Sequence, residues 1–101
     1  MRVISQDGTM DFPYENSIVF IDTRAKEATF VRLQAIGDDE TSIMAQYSSE
    51  EKAKKAMEEL RYAYMCHSLV KMGKSPLDGI GEKITMGLSG VFQFPAEEEL
   101  E

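Results

Sequence analysis

Between Ser48 and Pro76 the chain carries a pattern that only a helix satisfies. Ser48-Ser49-Glu50-Glu51 fits a capping box, in which a serine side chain accepts from an orphan backbone N–H and the glutamate three residues on reaches back. Ala53, Ala56, Met57, Leu60, Ala63 and Tyr64 then recur at spacings of three and four, which puts them on one helical face. A face this apolar needs a broad apolar partner, and a sheet supplies one. On the wet side, Glu50 with Lys54 and Glu51 with Lys55 stand in the favourable i,i+4 order, each pair contributing about 0.2–0.5 kcal/mol. The helical pattern extends through Leu69, Val70 and Met72 to Gly73, a stop signal, and Pro76 forbids continuation.

What precedes the helix reads as strands. Met1 to Gln6 is short and β-branched, Asp7-Gly8 is a reversal signal, and Thr9 to Tyr14 returns with Met10, Phe12 and Tyr14 alternating against Asp11 and Pro13. Pro13 cannot donate to a ladder, so that strand belongs at an edge or near its own end. Ser17 to Asp22 and Glu27 to Ala35 form the next hairpin across Thr23-Arg24-Ala25-Lys26. Gly37-Asp38-Asp39-Glu40 turns into Ser42 to Tyr47, where period-two alternation places Ile43, Ala45 and Tyr47 on one face. After the helix, five of the seven glycines fall between Gly73 and Gly90, so this stretch reads as loop around a brief strand at Ile84-Thr85-Met86. Val91 to Phe94 is the last strand, returning to the sheet before Pro95.

The expected fold class is therefore α+β: an antiparallel sheet from residues 1–47 plus a C-terminal strand near 91–94, with one long helix packed on it. A length of 101 residues suits one domain, because two cores of half that size would each be marginal. The expected domain is 1–96, followed by an acidic tail over 97–101. The net charge of −7 comes from 18 acids against 11 bases, and without Glu97, Glu98, Glu99 and Glu101 the balance is 14 against 11. The acidity thus concentrates in a terminal run expected to be solvated and frayed. A nonspecific nucleic-acid binder, which needs a basic excess, is not expected. No run approaches the roughly 18 apolar residues of a membrane span and no signal-peptide core follows Met1, so a cytosolic protein is expected. With one cysteine and one histidine the chain has neither an internal disulfide nor the usual ligands of a zinc site.

The motifs that invite catalytic readings fail on spacing. Gly73-Lys74-Ser75 has Ser68 where a phosphate loop requires its first glycine, and it follows a helix rather than a strand. Gly79-Ile80-Gly81 has Ile84 at the third glycine position of a dinucleotide fingerprint. Cys66 and His67 are helical neighbours about 100° apart, which does not make a nucleophile and base, and His67 continues the inward stripe from Leu60. No enzyme, cofactor or metal is expected. The cationic residues near strand ends offer more. Arg24 and Lys26 sit at a hairpin tip, Arg32 projects from the following strand, and Lys83 precedes the late strand carrying Phe92. Guanidinium forks match phosphate oxygens and an aromatic face takes a nucleobase, so this set can form a nucleotide site. The alternative is that they are solvated charges and a core phenylalanine.

The opening Met1-Arg2-Val3-Ile4-Ser5-Gln6-Asp7-Gly8, then Phe12-Pro13-Tyr14-Glu15, Tyr47-Ser48-Ser49-Glu50-Glu51-Lys52-Ala53, Ala56-Met57-Glu58-Glu59-Leu60-Arg61 and Val91-Phe92-Gln93-Phe94-Pro95 resemble small phage and prophage proteins of Firmicutes over nearly the full length. The layout also resembles the anti-Thoeris sponges, phage proteins that sequester cyclic ADP-ribose signals of host defence. That resemblance implies an assembly of two or more copies in the cytoplasm of the bacterial host. It also implies retention of the signal without cleavage, with arginines on its phosphates and an aromatic ring on its base. Arg24, Lys26, Arg32, Lys83 and Phe92 are the residues whose chemistry fits, assigned by type and not by matched position. A homodimer is expected on physical grounds as well, since a short chain gains a concave site most readily between two copies. Two readings compete: an acidic inhibitor of a host nuclease, of the kind found among anti-CRISPR proteins, and a phage accessory or structural protein.

Overall fold

Asp7 and Gly8 reverse the chain as their residue types dictate. Gly8 takes φ +78°, open to glycine without penalty, while the Asp7 carboxylate accepts from the Ser5 and Thr9 hydroxyls and the Thr9 amide. Those hydrogen bonds hold the Asp7 carboxyl down at about 2. This turn joins β1 (Arg2–Ile4) to β2 (Asp11–Pro13) in an antiparallel pair with Val3 opposite Phe12. The computed structural model describes residues 1–71 and 90–100, with the side chains of 70 and 71 left aside. The brief strand expected at Ile84-Thr85-Met86, the stop at Gly73 and Lys83 all lie outside the described residues.

The remaining elements are β3 (Ser17–Asp22), β4 (Thr29–Ala35), β5 (Ser42–Tyr47), α1 (Glu50–Lys71) and β6 (Val91–Gln93), with 3-10 turns at Tyr14–Asn16 and Glu97–Leu100. The α+β class with a long helix on the sheet layer is the architecture seen. The strands divide into two sheets: a mixed sheet A in the order β2-β1-β6 and an antiparallel sheet B in the order β3-β4-β5. β6 returns to the sheet layer as expected, but it runs parallel to β1, with Val3 opposite Phe92. A parallel neighbour needs a long crossover, and here everything from β2 to α1 lies between the two strands.

A bulge between Val31 and Arg32 modifies the expected alternation in β5. Ala45 pairs with Val31 and Ile43 with Arg32, so Met44 is the extra residue. Met44, Ala45 and Tyr47 are all buried, and Ile43 turns outward. The expected face of Ile43, Ala45 and Tyr47 is thus corrected: the bulge flips its first member.

Ser49 caps α1, its hydroxyl accepting from the Lys52 amide at 3.2 Å. Ala53, Ala56, Leu60 and Ala63 are buried, and Met57 and Tyr64 pack against the same core. Three alanines in that stripe let the helix lie close against β4 and β5, with Val31, Leu33 and Met44 in the same core. Glu50 pairs with Lys54 at 3.5 Å, while Lys55 donates to the Leu100 carbonyl at 3.3 Å.

The acidic run is not a frayed tail. Residues Glu97–Leu100 form a 3-10 turn, Leu100 is buried in the core, and Glu97 accepts from the Ser48 amide. Tyr47 and Gln6 both donate to the Pro95 carbonyl, at 2.8 and 3.1 Å. An apolar anchor at Leu100 and the positive N-terminus of α1 hold these acids in place. Among the described residues no helix is long and apolar enough to cross a membrane.

Candidate functional site

α1 and the core cover one face of sheet B, and the other face carries the candidate site. Alternation on β4 sends Val31 and Leu33 inward, which leaves Phe30, Arg32 and Gln34 outward. The register then places Ile18 opposite Gln34, Phe20 opposite Arg32 and Asp22 opposite Phe30 on that outer face, with Ile43 beside Arg32 on the far side. Ile18 is 59% exposed and Ile43 is exposed as well, while Phe20 and Phe30 are half-buried.

Asp22 organises this face. It is 6% exposed, although it sits on the open side of the sheet, because two arginines wrap it. Arg24 donates through Nε at 2.9 Å and Nη2 at 2.8 Å to the two carboxylate oxygens, and its own amide donates at 3.0 Å. Arg32, diagonal to Asp22 across the hairpin, donates from Nε at 2.6 Å. Its Nη1 reaches the Thr41 hydroxyl at 3.3 Å, and its guanidinium lies 5.8 Å from the Phe30 ring centroid, a cation–π distance. The Arg24 side chain and amide, ahead of Arg32, hold the Asp22 carboxyl well below the usual carboxylate range, and Asp22 in turn raises Arg24.

Two guanidiniums against one carboxylate leave a local charge of +1 on a chain of net charge −7. The Arg24 side chain is 82% exposed and the Arg32 side chain 23%, so Asp22 fixes both in place while Arg24 remains open to solvent. Chemically this is a preset cationic fork beside aromatic and aliphatic surface, suited to an anionic group attached to a flat or apolar body.

Of the residues expected to form the site, the structure brings together Arg24 and Arg32. Lys26 is exposed in the same β3–β4 connection. Phe92 requires correction as a surface stacking residue: it is 3% exposed, because parallel pairing beside Val3 points its ring into the core, edge-on to Phe94 at 5.3 Å. Lys83 lies outside the described residues. Sequence reasoning missed Asp22, Phe20 and Phe30. The signal was present in the strand alternation: residues 18, 20 and 22 share a parity, and the hairpin sets 30 and 32 against them. Cys66 is buried within α1, with its neighbour His67 against Gly90. Comparison of the chain with protein-family models, characterised proteins and solved structures returns no match.

Proposed function

We propose that this chain is a binding protein without catalytic turnover, a phage-encoded anti-defence factor that sequesters a cyclic nucleotide-type signal of the cyclic ADP-ribose class in the host cytoplasm. The observation that carries the reading is the Asp22-held pair of guanidiniums beside Phe20 and Phe30. A phosphate takes the outward donors of Arg24 and Arg32, and the base or ribose lies against the phenylalanines, which replace Phe92 in the stacking role. Lys26, on the same connection, adds charge for the second phosphate of a diphosphate.

Isothermal titration against a panel of cyclic nucleotides and cyclic ADP-ribose isomers tests it, with the ligand recovered after heating. Saturable heat with intact ligand supports the reading, and the double change Arg24→Ala/Arg32→Ala abolishes that heat while the fold persists. Silence across the panel, or heat that survives the double change, overturns it.

A second reading, in which the same face receives a protein, is favoured by the exposed Ile18 and Ile43 flanking the cationic fork. The nuclease-inhibitor version that relies on the terminal acids draws less support, since Glu97 and Glu99 turn carboxylate oxygens onto the chain's own Ser48 and Ala96 amides. Pull-down with a catalogue of host nucleases, comparing wild type with Ile18→Asp, separates these versions from the nucleotide reading.

A further inference from the structure

We infer that the edge of β3 left unpaired among the described residues pairs antiparallel with β3 of a second copy of this chain, about a twofold axis at Phe20. The argument begins with how sheet edges are protected, because an unpaired apolar strand is a template for another strand. Among the described strands, three of the four edges are blunted. β2 is three residues long and ends in Pro13. β6 is also three residues long. β5 carries the bulge, and Gln6 closes its edge: the Gln6 amide donates to the Met44 carbonyl at 2.7 Å, and the Gln6 side-chain oxygen accepts from the Gln46 amide at 3.0 Å. β3 has none of these devices. It runs six residues, SIVFID, with no lysine, proline or bulge, and no strand among the described residues pairs with its outer edge.

The hydrogen-bond phase of β3 then specifies the partner. The Ile36 amide donates to the Asn16 carbonyl at 2.8 Å, so Asn16 and Ile36 form a hydrogen-bonded pair. Antiparallel alternation makes Ile18, Phe20 and Asp22 the residues that exchange bonds with β4. Ser17, Val19 and Ile21 therefore direct their amides and carbonyls to the open edge, and the Ser17 amide already donates to the Tyr14 carbonyl. This leaves Val19 and Ile21, two residues apart.

Antiparallel pairing of β3 with a copy of itself, in the register that sets Phe20 opposite Phe20, places Val19 of each copy opposite Ile21 of the other. Both become hydrogen-bonded pairs, so four backbone bonds form and the open amides and carbonyls of Val19 and Ile21 all meet complements. Phe20 falls at the close, non-hydrogen-bonded position where aromatic cross-strand pairs interact best, on the same outer face as Ile18. Sheet B becomes a six-stranded sheet with both cationic forks on one surface. A second copy sets Phe20 against Phe20 at the axis and Val19 against Ile21 on either side, so all three central pairs are apolar.

Sedimentation equilibrium without ligand, from about 1 µM to about 500 µM, tests the pairing over the span in which mass action exposes a micromolar dimer. The expected mass is twice 11.4 kDa at the upper end. Val19→Pro removes an outward amide and spares the β4 ladder, so it yields a folded monomer. Phe20→Lys sets two like charges at the axis and also yields a monomer, which decides the matter if the proline variant does not fold. Amide exchange at Val19 and Ile21 slows with concentration in the wild type and not in Phe20→Lys. A monomer at every concentration, or a dimer that survives Phe20→Lys, overturns the inference. Because no ligand is present, neither outcome depends on the nucleotide reading.

Discussion

The Glu97 carboxylate accepts from the Ser48 amide across 49 residues of sequence, at the point where α1 begins. A capping box would have had Glu51 turn back onto Ser48, but the acceptor arrives instead from the end of the chain, with Lys52 Nζ 3.9 Å from its other oxygen. The Ser48 hydrogen bonds, ahead of the charge of Lys52, lower the Glu97 carboxyl below its usual value.

Glu97→Ala is expected to lower the melting temperature at neutral pH. A carboxyl depressed in the folded state stabilises the fold above its unfolded value, near pH 4, and the contribution is lost as pH falls through the folded value. Thermal melts between about pH 3 and pH 7 check this: the gap between wild type and variant closes toward the acid end. A gap independent of pH would remove Glu97 from this role.

Asp22→Ala is expected to destabilise the protein more than Arg24→Ala does. Arg24 is open to water and rehydrates, whereas Arg32 loses its carboxylate partner at a site only 23% exposed. The Asp22 contribution is present at neutral pH and disappears only in strong acid, below the ordinary aspartate range. Urea midpoints for the two variants give the order directly.

Leu60→Ala removes a fully buried side chain from the centre of the helix stripe. The expected cost is about 2–5 kcal/mol, combining lost burial with an unfilled cavity between α1 and sheet B. Chemical denaturation measures it, and a cost below about 1 kcal/mol would mean the layers do not meet at Leu60.

Tyr47→Phe deletes the donor to the Pro95 carbonyl, which keeps Gln6 as a partner, and is expected to cost about 0.5–1.5 kcal/mol. Burial, followed by the charges of Glu59, Glu99 and Glu97, pushes the Tyr47 hydroxyl far above its normal range. Its neutral form is favoured in the folded state, so this contribution holds below the unfolded value near pH 10 and fades only as pH rises toward the folded one. Wild type and Tyr47→Phe should therefore give the same phenolate absorbance change up to about pH 11 while folded.

The helix was legible in the sequence because its signals are local: the Ser49 cap, the Ala53-to-Tyr64 spacing and the Glu50–Lys54 pair all lie within a few turns. The division into two sheets was not, since it depends on Val3 meeting Phe92 across the whole crossover. Met44 shows the same limit on a smaller scale. A bulge adds one residue, and strict alternation then assigns Ile43 to the wrong face. The candidate site was half legible. Arginine chemistry selected Arg24 and Arg32, but the residue that joins them, Asp22, reads in sequence as the polar end of an apolar strand. The terminal acids misled because net charge carries no information about Leu100, the apolar residue that brings them back to the fold.

The parallel alignment of β1 with β6 dictates an order of events during synthesis. Sheet B and most of α1 involve residues that emerge early, and their contacts close over short stretches of chain. Sheet A needs Val91–Gln93 beside Arg2–Ile4, so the nascent chain carries an incomplete sheet, with the β1 edge meant for β6 unpaired, until β6 itself has emerged. One sheet of the fold therefore waits on β6 while the other is already formed.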